Sequence, residues 1–187
     1  MAIGPVRYLF SVDEYEQMGR TGVLDPELRL ELLDGEIIEM APIGPEHSSC
    51  VMRLTWLFIS RLGTRMVLSP QNPVRLFPRS EPQPDIVLLR GGMDQYHHRL
   101  PTATDVLLVV EVAKSSLALD RTVKLPIYAR QGIPEVWIVD LDGEAVEVYR
   151  QPGPDGYAEL ARVERGGTVS PAAFPDLTLT ADEILGY

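Results

Sequence analysis

Two carboxylates and one lysine carry the chemistry that the sequence suggests. Asp85 heads the apolar run at 86–89, and Glu111 interrupts the apolar run at 105–112. Because an unpaired charge in a buried strand is costly, Glu111 needs a partner. Lys124 follows on a predicted short helix. Two acids near the ends of buried strands, with a lysine close by, are typical of a metal-dependent hydrolytic site.

Length and composition predict one domain over residues 1–187. No stretch reaches the ~18 consecutive apolar residues of a membrane helix, and the first ten residues lack the features of a signal peptide. We therefore expect a cytoplasmic protein without membrane contact. Cys50 is the only cysteine, which excludes an intramolecular disulfide. We expect it to be a buried helix residue rather than a thiol nucleophile.

The net charge of −10 argues against broad nonspecific binding to nucleic acid, because affinity for phosphate comes largely from lysine and arginine. It does not exclude a nuclease, since carboxylates that hold metal add negative charge. Several arginines close in sequence predict either one basic face or a set of scattered, solvated side chains. They are Arg53, Arg61, Arg65, Arg75 and Arg79.

The first half of the chain predicts two helices and several short strands. The capping box Ser11–Glu14 opens a helix to about Met18, and a hairpin with an Asp34-Gly35 turn follows at 29–40. An amphipathic helix is predicted at 45–62, ended by Gly63. Strands are then expected at 65–69, 74–76 and 85–89.

The second half predicts a strand, a helix and a parallel strand, followed by a hairpin. After the strand that ends at Val112, Pro126 indicates a helix whose first full turn starts near Thr122 or Val123, with Lys124 in that turn. The next strand, at 136–140, should pair in parallel through the short crossover. The segments 145–149 and 157–163 predict an antiparallel hairpin. The predicted fold class is α/β, a mixed central sheet flanked by helices with N- and C-terminal antiparallel hairpins.

This order of elements, with Pro84-Asp85 and Glu111-Val112-Ala113, resembles the core of the PD-(D/E)XK nuclease superfamily. The stretch 111–140, together with 31–36 and 46–48, looks like the Uma family of putative restriction endonucleases. The resemblance covers nearly the full chain. It implies a restriction-endonuclease-like core and a nuclease site.

One departure from the superfamily motif concerns its lysine, which should stand two residues after the second acid. That position is Ala113, and Lys114 would point to the opposite face of a continuing strand. The resemblance implies that Lys124 on the following helix replaces it and assists the attack of water. The alternative is a surface lysine paired with Asp120.

The resemblance implies that Asp85 and Glu111 bind Mg²⁺ or Mn²⁺, assisted by a backbone carbonyl near Val112. Alternatively, Asp85 caps a turn and Glu111 forms a buried ion pair with Lys124 or an arginine.

Further residues could bind substrate or complete the site. Glu31 could complete the metal shell or form a cross-strand pair with Arg29 or another basic residue, and Gln71 could approach the site from the loop edge. His47 could touch the substrate or be a structural histidine, and Tyr128 could line the cleft or pack in the core.

Two functions are compatible with these residues. The first is a metal-dependent endonuclease that hydrolyses DNA phosphodiester bonds, with Asp85, Glu111 and Lys124 as the catalytic residues. The alternative is a non-catalytic nuclease-fold module that binds nucleic acid or a protein partner. A homodimer is plausible because cutting both strands of a duplex needs two sites, and the C-terminal hairpin with Trp137 nearby offers an edge.

Overall fold

The computed structural model describes residues 6–186, and their strands form a central mixed sheet and two small hairpins. The small hairpins are β1 (Leu30–Leu33) with β2 (Glu36–Glu39), and β9 (Thr168–Val169) with β10 (Leu179–Thr180). The central sheet has the order β3-β4-β5-β6-β7-β8. Its strands are Val67–Pro70, Ile86–Leu89, Val106–Ala113, Glu135–Asp140, Ala145–Gly153 and Gly156–Glu164. The expected α/β class with a mixed sheet and flanking helices is confirmed.

Five α-helical segments accompany the sheet: α1 (Val12–Arg20), α2 (Pro45–Leu62), α3 (Leu117–Leu119), α4 (Leu125–Arg130) and α5 (Ala181–Leu185). The predicted capping box opens α1, because the Ser11 hydroxyl accepts from the Glu14 amide and the Glu14 carboxylate accepts from the Ser11 amide. Helix α2 has the predicted bounds and ends at Gly63, whose positive φ stops the helix. None of the helices in residues 6–186 has the length and apolar character needed to span a membrane.

Strand β5 lies at the centre of the sheet and divides the core between its two faces. Leu108, Val110 and Val112 pack with α2 and α5 on one face. Val109 and Ala113 pack with α4 on the other face. Because side chains alternate along a strand, Glu111 points to the same side as Val109 and Ala113. The expected parallel pairing of β5 with β6 is confirmed, and it places α3 and α4 in the crossover beside Glu111.

The crossover helix differs from the prediction in where it starts. Helical structure begins at Leu117 rather than near Thr122, and a π-helical turn at Asp120–Lys124 joins α3 to α4. In this wider turn the Leu125 amide donates to the Asp120 carbonyl. Pro126 has no amide hydrogen to donate to the preceding turn, and the wider turn accommodates that loss. Lys124 therefore lies inside a longer helical run, not in its first turn.

Other expectations are corrected in detail. Residues 74–76 make only isolated bridges, through Arg75 and Leu76, because proline-rich turns interrupt the segment. The C-terminal hairpin is present but extends the central sheet, since β7 pairs with β6 along six residues. Trp137, near this hairpin, is 0% exposed and packs against Phe58, so the expected homodimer edge falls on the hairpin itself and stays a prediction. Cys50 is buried in α2, as expected.

The arginines at 53–79 do not form one free basic face. Three of them pair with carboxylates in different parts of the fold: Arg61 with Glu183, Arg65 with Asp176 and Arg75 with Glu16. Of the two alternatives, scattered arginines describe the structure better.

An acidic pair, in which Glu81 is buried and Glu16 is partly exposed, joins α1 to the segment that leads into β4. The two carboxylates lie on either side of Arg75, which pairs with Oε1 of Glu16, and Oε2 of Glu81 is buried without a hydrogen bond in residues 6–186. Burial, followed by the neighbouring Glu16 carboxylate, raises the pKa of Glu81 to about 7. A proton on Glu81 removes the repulsion between the two acids.

This pair predicts a fall in stability as the pH rises. The folded chain keeps a proton on Glu81 that the unfolded chain releases near pH 4.5, so the free energy of unfolding decreases from about pH 4.5 to about pH 7. Glu81→Gln should reduce this decrease by about 1–3 kcal/mol, since one pKa unit is worth about 1.4 kcal/mol. Urea unfolding at several pH values measures this pH dependence of the free energy of unfolding. Glu27→Gln, a change at an exposed glutamate, is the control. Equal pH dependence in Glu81→Gln and the wild type would contradict it.

Candidate active site

An acidic cleft of about 550 Å³ opens at the ends of β4 and β5. Hairpin β1–β2, the first turn of α2 and the π-helical turn form its other walls. Four of its carboxyl-bearing residues are buried, and Lys124 is the buried ammonium among the residues that line it: Lys124 pairs with Glu31 and Glu111, and Asp120 and Asp85 line the same cleft. We call this space the acidic cleft.

The sheet register brings Asp85 next to Glu111. Ile86 pairs with Val110, so the residue before Ile86 lies beside the residue after Val110. The Val112 amide donates to Oδ2 of Asp85 at 2.9 Å. Asp85 is thereby held against β5.

Two predicted substrate-binding residues contact Asp85 directly. Nε2 of His47, in the first turn of α2, lies 3.0 Å from Oδ2 of Asp85. Nε2 of Gln71 donates to Oδ1 at 3.3 Å. Gln71 has φ +51°, and its amide donates to the Asp85 carbonyl, so an uncommon backbone conformation accompanies this contact. Gln71 does not line the acidic cleft; it holds Asp85 in position.

Glu111 is held from the helix side. The Tyr128 hydroxyl donates to Oε1 of Glu111 at 2.6 Å, and Nζ of Lys124 lies 3.4 Å from the same oxygen. Oε2 accepts no hydrogen bond from residues 6–186. Tyr128 is fully buried behind Glu111 rather than on the cleft wall, so it supports the carboxylate instead of reaching into the cleft.

Lys124 connects the two sides of the cleft. Its ammonium lies 3.1 Å from Oε2 of Glu31 in β1, in addition to its contact with Glu111 in β5. At 5% exposure Lys124 is not the surface lysine of the alternative interpretation. Glu31 pairs with Lys124 and accepts from the Gln83 amide, and no pairing with Arg29 is formed. The alternative of a Glu111–Lys124 ion pair is present in the structure.

The other lysine near the motif lies outside the centre of the cleft. Lys114 is exposed and pairs with Glu46 and Asp142, whereas Ala113 is buried in the sheet. The position two residues after Glu111, where the superfamily motif has its lysine, is therefore occupied by a buried alanine and supplies no positive charge.

The shared lysine leaves the cleft with too little positive charge. Burial, reinforced by the charges of Asp120 and Asp85, raises the pKa of Glu111 to about 8, although Lys124 acts in the opposite direction. Burial alone would lower the pKa of Lys124, but Glu111, Glu31 and Asp120 raise it above its ordinary value. Lys124 stays charged, and a further cation in the cleft would favour the ionised forms of Glu111 and Asp120, whose pKa values are raised.

Asp120 is the buried acid that sequence reasoning did not assign to the site. It is 2% exposed, accepts from the Ser116 hydroxyl at 2.7 Å and lines the cleft, and burial raises its pKa. Its spacing of four residues from Lys124 suggested only a surface pair. The signal that could have identified it is Pro126, whose missing amide favours the π-helical turn that carries both residues inward.

The donors of the cleft fit a hard divalent cation. Mg²⁺ is usually bound through one or two carboxylates and several water molecules, and Asp85 and Glu111 supply two neighbouring carboxylates. No group of three or more acidic, histidine or cysteine side chains within 6–186 is arranged to hold a metal ion. Such an ion would therefore depend on water and backbone oxygen for its remaining ligands.

Replacing Lys124 tests its role in holding the cleft together. Lys124→Met should lower the free energy of unfolding at pH 8 by about 3–5 kcal/mol, because Glu31 and Glu111 remain buried without a cation. Urea unfolding measures this loss, and Lys114→Met, which removes an exposed lysine, should cost less than about 1 kcal/mol. Glu111→Gln added to Lys124→Met should recover part of the loss. Equal costs for the two lysine variants would show that Lys124 is not a buried bridge.

Comparison with known proteins agrees with the resemblance seen in the sequence. The Uma2 family, described as "Putative restriction endonuclease", matches residues 12–182. A crystal structure of a "putative nuclease belonging to DUF820" from Anabaena variabilis superposes with a TM-score of 0.72 at 16% identity, covering 94% of this chain and 97% of that chain. The comparison with curated proteins gave no match. At 16% identity the superposition establishes the fold alone. The Uma2 family model matches most of the chain, and the chain therefore belongs to the Uma2 family.

Proposed function

We propose that this chain is a metal-dependent endonuclease that hydrolyses DNA phosphodiester bonds in the acidic cleft. The observation that supports this proposal most strongly is the set of four buried carboxyl-bearing residues in a cleft where Lys124 is the buried cation among the lining residues. Such an excess of acid is unfavourable in a buried site unless a cation is bound or some of the carboxyls keep their protons. The raised pKa of Glu111 indicates that the protein's own cations do not fully offset this excess. Membership in a family described as "Putative restriction endonuclease" supports the same reaction class.

In this proposal Asp85 and Glu111 hold Mg²⁺ or Mn²⁺. A bound divalent ion lowers the pKa of water and neutralises charge on a phosphate. Oε2 of Glu111 accepts no hydrogen bond from the described residues. In this proposal it binds the ion while Oε1 keeps its hydrogen bond from the Tyr128 hydroxyl. Asp85 keeps its position through the Val112 amide while His47 and Gln71 contact its two oxygens.

Lys124 is the residue that we propose to act on the phosphate. Its ammonium can orient the attacking water and stabilise negative charge as it develops on the phosphoryl oxygens. Glu31 holds Lys124 from the hairpin side, which keeps the ammonium beside Glu111. His47 lies at the cleft wall next to Asp85, where it can accept or release a proton at Nε2.

One observation favours the non-catalytic alternative. Lys124 bridges Glu31 and Glu111 in a buried ion-pair network, as a purely structural lysine would. In that case Glu111→Gln should lower stability while added metal changes nothing. A metal-induced rise in the melting temperature of the wild type that is absent in Glu111→Gln would exclude this alternative.

A cleavage assay tests the proposed reaction. Purified protein with Mg²⁺ or Mn²⁺ should cleave supercoiled, linear duplex or single-stranded DNA. Asp85→Asn, Glu111→Gln and Lys124→Met should each reduce the rate at least about 100-fold, because each removes a group that binds the ion or stabilises developing charge.

The matched control is Asp94→Asn, an exposed acid outside the cleft, which should cleave at the wild-type rate. Circular dichroism of each variant separates loss of activity from loss of folding. Wild-type cleavage rates in both folded carboxylate variants would refute the assignment of the site.

A further inference from the structure

A second groove, of about 410 Å³, opens beside the first turn of α2. It shares Pro45, Glu46 and Lys114 with the acidic cleft, so the two spaces are continuous. Its other walls come from α2, the β6–β7 turn, the turn after β8 and the C-terminal helix, through Ser49, Arg53, Leu141, Glu144, Arg165 and Leu185. We call this space the flanking groove.

The two spaces differ in charge. The acidic cleft is lined by six carboxyl-bearing residues and three cations, whereas the flanking groove is lined by three cations and two carboxyl-bearing residues. Two further carboxylates, Asp142 and Asp182, pair with Lys114 and Arg165, so the groove has no excess of cations once its ion pairs are counted. Among the lining cations, Arg53 has no carboxylate partner within residues 6–186, and it is the group that suits an anionic ligand.

Arg53 is held in a fixed position in the flanking groove. Its guanidinium donates to the Ile184 carbonyl at 3.2 Å and to the Ser49 hydroxyl at 3.4 Å. Any Cβ at Gly186 would overlap this guanidinium, so the glycine makes room for it. Arg53 forms no ion pair with a carboxylate of residues 6–186. Several of its five N–H groups therefore stay available, in an orientation that is already fixed.

Lys114 and Arg165 are cations with replaceable partners. Lys114 contacts Glu46 and Asp142, and Arg165 contacts Glu144 and Asp182. All of these side chains are at least one third exposed. Exposed pairs of this kind contribute about 0–1 kcal/mol, so a phosphate can take the place of the carboxylates at little cost.

The boundary between the two spaces also suits a phosphate. Helix α2 starts there with Gly44 as N-cap and Pro45 in the first turn, and no side chain caps it. The free amides of its first turn and the helix dipole favour an anion at this end. This feature agrees with the side-chain evidence from Arg53, Lys114 and Arg165.

We infer that the flanking groove binds backbone phosphates of the nucleic-acid strand that continues from the acidic cleft. The inference rests on the proposed function, because it takes the acidic cleft as the place where the same strand is cut. Lys114 contacts the strand at the boundary, Arg53 binds a phosphate through its fixed guanidinium, and Arg165 closes the groove from the other side. Continuity with the cleft favours a nucleic-acid strand over an acidic peptide.

Fluorescence anisotropy with short labelled single-stranded and duplex DNA tests this inference. Ca²⁺ replaces Mg²⁺, so that the acidic cleft is neutralised while hydrolysis is suppressed. Arg53→Gln and Arg165→Gln should each raise the Kd about 5- to 10-fold and lower the slope of log Kd against log salt concentration by about 1, as expected for one lost phosphate contact.

The matched control is Arg65→Gln, an exposed arginine that pairs with Asp176 outside both spaces, and it should change the Kd less than about 2-fold. Arg53→Lys keeps the charge and should recover part of the affinity. If Arg53→Gln does not fold, the Kd of Arg165→Gln still tests the inference, because Arg165 is partly exposed and its replacement should not disturb folding.

Two results would overturn the inference: absence of DNA binding by the wild type, or equal affinities for Arg53→Gln, Arg165→Gln and Arg65→Gln. Failure of the proposed nuclease function would give a different set of results from failure of the groove inference. If the arginine variants weaken binding while wild-type protein with Mg²⁺ or Mn²⁺ cuts no DNA, the groove is retained and the nuclease proposal is wrong. If Asp85→Asn abolishes cleavage while the arginine variants bind normally, only the groove is rejected.

Discussion

The contacts of Lys124 with Glu31 and Glu111 are the interaction on which the cleft depends. One ammonium joins the N-terminal hairpin to the central strand, so the position of the hairpin and the charge of the cleft are set together. A buried lysine with this many acidic neighbours is stable as a cation. The same network leaves more carboxylates than cations in a buried space, which is costly for a structural role alone.

The central sheet gives this network its geometry. The alternation of side chains along β5 sends Leu108, Val110 and Val112 into the core with α2 and turns Glu111 toward the crossover helix. The antiparallel register with β4 places Asp85 beside Glu111. Residues remote in sequence therefore meet at one end of the sheet, while His47, Gln71 and Tyr128 secure the two acids from three different elements.

Much of this arrangement could be predicted from local sequence patterns. The bounds of α2, the hairpin at Asp34-Gly35 and the parallel strands follow from periodicity, turn residues and crossover length. The start of the crossover helix and the inclusion of Asp120 follow from the sequence only in part, because Pro126 indicates a distortion of the helix while the form of that distortion, a π-helical turn, depends on its tertiary setting. The pairing of Lys124 with Glu31 joins residues 93 positions apart in sequence. Local patterns contain no information on such a contact.

The measurement that tests the central claim most directly is calorimetric titration of the wild type and Asp85→Asn with Mn²⁺. The excess of buried carboxylates predicts saturable binding to the wild type that is lost in the folded variant. It also predicts proton release on binding, because Glu111 has a raised pKa and must ionise to hold the metal. Absence of binding to the wild type, with and without DNA, would contradict a metal-dependent site and favour a structural role for Lys124 and its acidic partners.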